Sequence, residues 1–406
     1  MNMPVSPRFR VPLSLCTLAL TVLPVSAADP QVIEPEVRQS IRGNINEPTK
    51  LKPTPEMVST LKLPAGFRLK TFATLEGARM LAFAPNGDLY VTRRAPHNDV
   101  VLLRDANKNG RAELIRSVAS IENVHGLAIR DGKIYLAAVR EFYVADILPD
   151  GGLSEPRVLY SDLPDAGQHP NRTVKFSPQG KLILSVGSTA NAAPEPNPEN
   201  ATMLELEPDG SGRTIYAKGL RNTIGFDWSP LDGGLWGMDH GIDWLGDNEQ
   251  TEELNYIQRG AHYGWPFVYD DKEFNLHLNP LETLGHSREE FAAMTESPVA
   301  GLQPHSAPME MLFYRGTQFP ARYRNKAFVA LHGSWNRAKP VGYKVVTIEF
   351  SSSGGARARD FLTGFYLPET NAHFGRPCGM AEAPDGSLFL SDDSGGAIYR
   401  ITYRRK

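Results

Sequence analysis

The sequence predicts an all-β fold, a six-bladed β-propeller with a loop-rich insertion at about residues 260–312. One unit recurs along the chain: a short apolar strand, a turn that ends in Gly, and a second apolar strand. The turn glycines are Gly87, Gly132, Gly180, Gly233 and Gly386, which stand 45, 48, 53 and then 153 residues apart. Intervals near 45 residues are typical of propeller blades, each of which is a four-stranded sheet that cannot bury its face alone.

The unit has five clear copies and one degenerate copy. The clear copies are 81–91, 126–136, 174–184, 225–233 and 379–390, and the degenerate copy, 324–331, lies in the long interval. Turns of the Asn-Gly or Asp-Gly type favour hairpins because Gly tolerates a positive φ. A β-sandwich pair is the alternative architecture, but the near-even spacing of one unit favours the propeller.

Residues 1–27 have the pattern of a secretory signal peptide. Arg8 and Arg10 precede an apolar run over 11–25, and Val25-Ser-Ala27 forms a small-residue cleavage site. A retained anchor helix is the less favoured reading, since the run is short for a bilayer. No later stretch reaches the roughly 18 consecutive apolar residues of a membrane span. We therefore expect a periplasmic or secreted protein without a membrane span in its mature form.

Residues 28–57 are rich in Pro, Asn, Glu and Gln, which predicts an extended or disordered leader before the propeller domain of residues 58–406. The formal net charge is −3, so no basic face for nucleic acid is indicated. Cys16 would leave with the signal peptide and Cys378 would remain alone, which excludes an internal disulfide. The core must therefore stabilise the fold unaided.

The predicted insertion contains four histidines among aromatic residues and prolines. They are His262, His277, His286 and His305. Their irregular spacing favours loop and interface roles over a metal site. Residues 287–290 read Ser-Arg-Glu-Glu, which predicts a capping box at the start of one short helix.

Three groups of residues carry candidate chemistry. His169 lies on a loop before a strand, where a neutral imidazole can accept a proton near neutral pH. Arg221 offers a rigid fork of donors to a carboxylate or another anionic oxygen, although an ion pair between blades is the ordinary role of such a residue. From sequence alone Gly241 is a turn glycine, although the backbone carbonyls of Gly241 and Ile242 would be suitable hard oxygen ligands for Ca²⁺.

Several ordered motifs together resemble the quinoprotein glucose/sorbosone dehydrogenase family, most closely its sorbosone dehydrogenase-type branch. They are His169-Pro-Asn-Arg172, Gly219-Leu-Arg-Asn-Thr-Ile-Gly225, Gly234-Leu-Trp-Gly-Met-Asp-His-Gly241, His332-Gly-Ser-Trp-Asn-Arg337 and Gly375-Arg-Pro377. The resemblance runs from about residue 58 to the C-terminus. It implies a six-bladed propeller that carries pyrroloquinoline quinone (PQQ) and calcium.

The resemblance also implies roles for single residues. His169 would be the general base, and Arg221 would stabilise negative charge on the quinone. Family members active on glucose have an aspartate where this chain has Ser188, so one orienting carboxylate is missing.

The cofactor contacts carried over by the resemblance are Asn222 and Arg376, while Gly241 and Ile242 would bind the calcium. Arg337 would replace a cofactor-binding lysine that has no counterpart here.

Two further positions depart from the glucose-active relatives. Ile224 stands in place of a glutamine, and Cys378 in place of a second arginine. Fewer cations around a cofactor with three carboxylates predict weaker binding.

We therefore expect an exported, PQQ- and calcium-dependent aldose or sorbosone-type dehydrogenase that passes electrons to an external acceptor such as a soluble cytochrome. The sequence contains no Cys-x-x-Cys-His for an attached haem and no Gly-x-Gly-x-x-Gly that opens a helix. Two alternatives stay open: a calcium-dependent propeller lactonase, and a non-catalytic propeller that binds a glycan or a protein partner.

Overall fold

The computed structural model of the chain describes residues 43–165, 167–351 and 354–404. The predicted signal peptide and the start of the predicted leader lie outside these residues. The described chain begins with β1 (Thr49–Lys50), α1 (Pro55–Ser59) and β2 (Phe67–Thr74). Most of the remaining described residues belong to antiparallel sheets or to the turns that join their strands.

The described strands include six four-stranded antiparallel sheets, numbered here in chain order. Sheet 1 contains β3 (Ala78–Phe83), β4 (Leu89–Arg93), β5 (Asp99–Arg104) and β6 (Leu114–Ser120). Sheet 2 contains β7 (Gly126–Arg130), β8 (Lys133–Ala137), β9 (Phe142–Asp146) and β10 (Arg157–Tyr160). Sheet 3 contains β11 (Val174–Phe176), β12 (Leu182–Val186), β13 (Thr202–Leu206) and β14 (Thr214–Lys218).

The next sheet is interrupted by the insertion. Sheet 4 contains β15 (Thr223–Trp228), β16 (Leu235–Asp239) and β17 (Glu252–Ile257); its fourth strand is β20 (Ala300–Leu302), after the insertion strands β18 (Val268–Tyr269) and β19 (Glu273–Phe274). Sheet 5 contains β21 (Pro308–Phe313), β22 (Ala327–Leu331), β23 (Lys344–Phe350) and β24 (Ala356–Leu362). A short sheet is formed by β25 (Tyr366–Leu367), β26 (Ala372–His373) and β1. Sheet 6 contains β27 (Pro377–Glu382), β28 (Leu388–Asp392), β29 (Ala397–Tyr403) and β2.

The predicted recurring unit is the first hairpin of each sheet. All five turn glycines adopt a positive φ, from 71° at Gly233 to 91° at Gly87. In the degenerate sixth copy Asn325 takes this place, with a φ of 64°. Asn tolerates the left-handed region better than most residues, which explains how this hairpin forms without Gly.

The sheets follow one another around a closed ring. The first strands of neighbouring sheets are in contact from β27 through β3 and β7 to β11, and from β15 through β21 back to β27, while β12 contacts β15. Sheet 6 closes the ring, because β2, which precedes sheet 1 in the chain, pairs with the last strand, β29, in the register Phe67 to Tyr403. A cavity of about 400 Å³ on the ring axis is lined by residues from the first strand of every sheet, among them Lys175 and Glu310.

The hydrophobic core is divided among the six interfaces between neighbouring sheets. Between sheets 5 and 6, for example, Phe328 and Tyr399 are fully buried, and Phe67 from β2 packs edge to face on Phe319 and Phe361. Burial of one such side chain stabilises the fold by roughly 1.5–3 kcal/mol. These interfaces replace the single central core of other domains and leave the ring axis free for polar groups.

The described part of the predicted leader contains regular structure, contrary to our expectation. β1 pairs in parallel with β26, and α1 begins directly after its N-cap residue Thr54. Pro55 occupies the first helical turn, where the missing N–H costs no hydrogen bond. Pro55 therefore starts a helix instead of preventing one.

The insertion is shorter than predicted at its C-terminal end. It lies between β17 and β20 and contains the β18–β19 hairpin, α2 (Pro280–Leu284) and α3 (Arg288–Ala293). The predicted capping box is confirmed, since Ser287 and Glu290 bond reciprocally at the start of α3. Residues 300–302 and 308–312, expected in the insertion, form β20 and the start of β21 instead. Among the described residues no helix is long and apolar enough to cross a membrane.

Candidate active site at one mouth of the ring

The predicted site residues lie in loops at one end of the ring. In each sheet the loop before the first strand and the loop after the second strand lie at the same end, because the strands are antiparallel. His169, the pair 221–222 and Arg376 precede β11, β15 and β27, whereas Gly241 and Ile242 follow β16. The topology therefore places them around one mouth of the ring.

The first residue after the second strand has the same topological position in every sheet. In sheet order these residues are Arg94, Ala138, Gly187, His240, His332 and Asp393. Four of the six have an imidazole or a charged side chain. The mouth is therefore polar, in contrast to the apolar interfaces between the sheets.

Gly187 allows His169 and Asn222 to approach each other. A Cβ on Gly187 would lie 2.6 Å from Cβ of His169 and 3.0 Å from Oδ1 of Asn222. Real Cβ atoms do not approach other heavy atoms this closely, so only Gly fits between the two side chains. The local sequence Gly187-Ser188 thus fixes the position of the histidine.

Hydrogen bonds determine which nitrogen of His169 carries a proton. Nδ1 lies 2.8 Å from Oγ and 3.1 Å from the carbonyl oxygen of the fully buried Ser188. The hydroxyl of Ser188 donates its own proton to the carbonyl of Ala190, at 2.7 Å. Both partners of Nδ1 can then only accept, so Nδ1 carries the hydrogen in the neutral ring. Nε2, which has no partner among the described residues, is left with its lone pair.

The surroundings of His169 favour the neutral form of its imidazole ring. Burial lowers its pKa well below the ordinary value, and the positive charge of Arg221 lowers the pKa further. The ring is therefore a base with an unprotonated Nε2 over a wide range of pH.

Arg221 is held rigidly beside His169. Its guanidinium, which is 2% exposed, bonds the carbonyl oxygen of Asn191 at 2.9 Å and the side-chain oxygen of Asn191 at 2.6 Å. Nη2 also forms an ion pair with Asp243 at 2.9 Å. Asn336 donates to the same carboxylate at 3.0 Å, which links two loops of the mouth.

Asp239 fixes the start of β15. Its carboxylate accepts the backbone N–H groups of Arg221 and Asn222, each at 2.8 Å, and the hydroxyl of Thr223 at 2.8 Å. Burial raises the pKa of Asp239 to about 6 despite these donors. The side-chain amide of Asn222 makes no hydrogen bond to the described residues, so it is available to a ligand.

The loop at Gly241 and Ile242 presents free carbonyl oxygens. Its N–H groups bond Glu252 and Gln250, each at 3.1 Å, whereas neither carbonyl accepts a hydrogen bond from a described residue. A Cβ on Gly241 would lie 3.0 Å from the carbonyl oxygen of Gln250, which explains the Gly. Burial raises the pKa of Glu252 to about 8.

Metal ligands made only of acidic, His or Cys side chains do not occur in this part of the chain. Within the described residues, no group of three or more such side chains could hold a metal ion. Backbone carbonyls, such as those of Gly241 and Ile242, are hard oxygen donors of the kind that Ca²⁺ takes alongside water and ligand oxygens.

Arg376 lies on the opposite side of the mouth. Its guanidinium donates to the carbonyls of His332, at 3.1 Å, and Gly333, and it stacks over Tyr343 at 5.6 Å. Nη1 has no hydrogen-bond partner among the described residues. This nitrogen is the part of Arg376 that can contact a ligand.

Arg337 does not join this group. Its guanidinium contacts the carbonyl oxygens of Asp247 and Pro304 and the side chain of Asn248. These contacts connect two loops, and they leave the predicted cofactor role of Arg337 without support in the geometry.

A charged network that the sequence analysis missed completes the mouth. Asp393 accepts from Nε2 of His332 at 2.8 Å and from Nη1 of Arg79 at 2.5 Å. Nη2 of Arg79 lies 3.3 Å from Nε2 of the fully buried His125. Part of this network could have been predicted from the recurring unit. His332 and Asp393 both directly follow the second strand of a hairpin, which places them at the same end of the ring.

An apolar cluster forms the floor of the mouth. Ile224, Met309 and Cys378 pack together at the starts of β15, β21 and β27, and all three are buried. The sequence analysis treated Ile224 and Cys378 as two separate losses of polar contacts. The structure shows that they are neighbours in one packed layer.

Comparison with known proteins gives one family. Residues 61–404 match the family described as TrAA12-like. An uncharacterized protein of Borreliella burgdorferi is 31% identical over 367 residues, which cover 86% of this chain and 93% of that protein. The aldose sugar dehydrogenase YliI of Escherichia coli is 23% identical over 332 residues, which cover 75% of this chain and 76% of that enzyme.

Solved structures share the fold. The calcium structure of a Trichoderma reesei carbohydrate-active enzyme of family AA12 has a TM-score of 0.71 at 21% identity and covers 85% of this chain and 97% of its own. The holo form of the pyranose dehydrogenase PQQ domain from Coprinopsis cinerea has a TM-score of 0.70 at 21% identity and covers 87% and 99%. Likeness at this identity establishes the fold and not the chemistry.

Proposed function

Because the chain belongs to the TrAA12-like family, we propose that it is an exported PQQ-dependent sugar dehydrogenase. The predicted resemblance to PQQ-dependent sugar dehydrogenases is confirmed by this membership, while the sorbosone-type branch stays a prediction. The observation that carries the proposal is the fixed tautomer of His169, whose free Nε2 lies in a mouth rich in guanidinium groups. Export by residues 1–27 is part of the proposal, and these residues lie outside the described chain.

We propose that the six sheets are the blades of one propeller that spans residues 58–406. The closed sequence of contacts between first strands supports this architecture, as does the pairing of β2 with β29 in the last sheet. A propeller places its functional groups at one end of the axis, where the loops of all blades meet.

The residues at the mouth fit the quinone and a calcium ion. Arg376 and Asn222 have donors that no described residue accepts, which suit the carboxylate and ring oxygens of PQQ, and Arg221 adds a positive charge. The free carbonyls of Gly241 and Ile242 suit Ca²⁺, whose further ligands would be water and the cofactor. The quinone, when bound, supplies the two-electron acceptor that no side chain provides.

His169 would remove the hydroxyl proton of the sugar. Nε2 accepts this proton, while the Nδ1–H bond to Ser188 keeps the ring oriented. The developing imidazolium is a cation beside Arg221, so its charge is unfavourable and the proton is easily passed on to solvent. Asp243 and Asn191 prevent Arg221 from turning away from the site.

The substrate in this proposal is an aldose, an aldehyde-bearing sugar derivative or a related polyol. Electrons would leave to an external acceptor such as a soluble cytochrome. The names of the relatives support the sugar and the quinone, and a calcium structure among them agrees with Ca²⁺.

The test is a titration of the purified protein with PQQ and Ca²⁺, followed by dye reduction with a panel of aldoses and polyols. We expect saturable quinone binding and sugar-dependent turnover in the wild type. His169→Ala should retain quinone binding and lose about 10²–10⁴-fold in turnover. Quinone binding without turnover on any sugar would favour the non-catalytic binding module, and full turnover of His169→Ala would overturn the assigned base.

A further inference from the structure

Arg94 is a cation at the mouth that has no carboxylate partner among the described residues. Nη1 donates to the side chain of Asn171 at 2.7 Å, and Nε is buried without any partner. Its neighbour in sequence shows the ordinary arrangement, because Arg93 forms two bonds of 2.7 Å to Asp99. Arg94 is partly buried and its Nε is fully buried, and buried polar atoms are normally hydrogen-bonded, so the contrast between the two arginines requires a cause.

Arg79 lies close to Arg94 and also has a donor nitrogen without a hydrogen-bond partner among the described residues. Burial lowers the pKa of Arg94, and the positive charge of Arg79 lowers it further. Arg79 has one ionic partner, Asp393, and its Nε is also buried without a partner. Within the described residues, one carboxylate, that of Asp393, is thus in direct contact with this pair of guanidinium groups.

The two arginines border an open space. A cavity of about 530 Å³ is lined by the cations Arg79, Arg94 and Lys50 and by His97, and its acidic residues are Asp393 and the exposed Glu76. Through Asn171, Arg94 is joined to the loop that carries His169. The cavity and the candidate base are therefore parts of the same mouth.

We propose that Arg94 and Arg79 bind carboxylates of the quinone and supply the cationic contacts that Cys378 and the absent lysine do not. This inference rests on the proposed function. Sheets 5 and 6 lack the lysine and the second arginine of the glucose-active relatives. Sheet 1, whose first strand contacts that of sheet 6, would supply the replacement cations. Charge-assisted hydrogen bonds between guanidinium and carboxylate groups are strong and specific, which suits an anionic cofactor.

The test compares Arg94→Gln with the matched control Arg93→Gln, which removes the same charge one residue away on the same segment. Binding of PQQ in the presence of Ca²⁺ is measured by quenching of protein fluorescence, without any turnover. We expect Arg94→Gln to weaken binding by about 10-fold or more and Arg93→Gln to change it less than about twofold. Arg94→Lys, which keeps the charge and loses the fork, should recover part of the affinity.

A second probe separates charge from shape. The trimethyl ester of PQQ lacks the carboxylate charges, so the wild type should bind it more weakly than PQQ, and Arg94→Gln should abolish most of this preference. Wild-type affinity of Arg94→Gln for PQQ, together with an intact preference for the acid, would overturn the inference and leave the proposed function standing. Failure of the wild type to bind PQQ at all would overturn both.

Discussion

Replacement of Ser188 by Ala tests how the orientation of His169 contributes to turnover. The change removes one of the two acceptors of the Nδ1–H, the hydroxyl at 2.8 Å, and leaves the backbone carbonyl at 3.1 Å. The tautomer should therefore persist, because the carbonyl alone still requires a proton on Nδ1. What is lost is one hydrogen bond that holds the ring in place.

The size of the effect follows from that single bond. One net hydrogen bond contributes about 0.5–1.5 kcal/mol, and about 1.36 kcal/mol corresponds to a tenfold change in rate. Turnover of Ser188→Ala should thus fall by roughly 2- to 13-fold, far less than for His169→Ala. The affinity for the quinone should be unchanged, since Ser188 is fully buried beneath the imidazole ring of His169.

The assay is steady-state dye reduction with saturating PQQ and Ca²⁺, combined with thermal unfolding. Ser185→Ala is a matched control, because this buried hydroxyl also accepts a hydrogen bond, from the N–H of Thr173 at 3.1 Å, but does not contact His169. Both variants should lose similar stability, and only Ser188→Ala should lose turnover. A loss for Ser188→Ala as large as that for His169→Ala would refute the reasoning, since Ser188 would then take part in the chemistry.

Two further predictions concern the charge at His169 and the loop at Gly241 and Ile242. His169 must be unprotonated to act, and burial holds its pKa well below 6.5, so kcat/KM should stay level from neutral pH to below this value and fall only as pH drops through the lowered pKa. Arg221→Gln removes a charge that lowers this pKa, so its acid limb should move to higher pH; an unmoved limb would contradict the assignment. Glu252→Ala leaves the N–H groups of Gly241 and Ala307 without acceptors and should reduce the free energy of unfolding in urea by roughly 2–5 kcal/mol. Glu252→Gln, which keeps an acceptor, should lose clearly less, and equal losses would count against the role of these bonds.

The hairpins could be predicted because their signals are local. A Gly with positive φ between two apolar strands specifies a tight turn whatever surrounds it, and all five predicted glycines adopt this conformation. The degenerate copy has Asn325 at this place, and Asn tolerates a positive φ better than most residues. Regular spacing of such units then indicated the repeat.

The missed parts of the site depend on contacts between distant residues. Arg79 and Asp393 are 314 residues apart and meet only because the last sheet contacts the first. No local pattern in either segment indicates the other. The end of the insertion was misplaced for a similar reason, because the three-residue strand β20 acquires its pairing only from β17.

The departures from glucose-active relatives form a consistent set when they are placed in the structure. Ser188 donates to the carbonyl of Ala190, which a carboxylate cannot do, so an aspartate here would set two oxygens against each other in a buried position. Ile224 and Cys378 pack on Met309 in one apolar layer, where either family residue would bring an unpaired polar group. Single substitutions such as Ser188→Asp should therefore reduce activity, although each introduces the residue that the glucose-active relatives have at that position. In the proposed site, the three positions are therefore compatible with one another and not with the residues of those relatives taken singly.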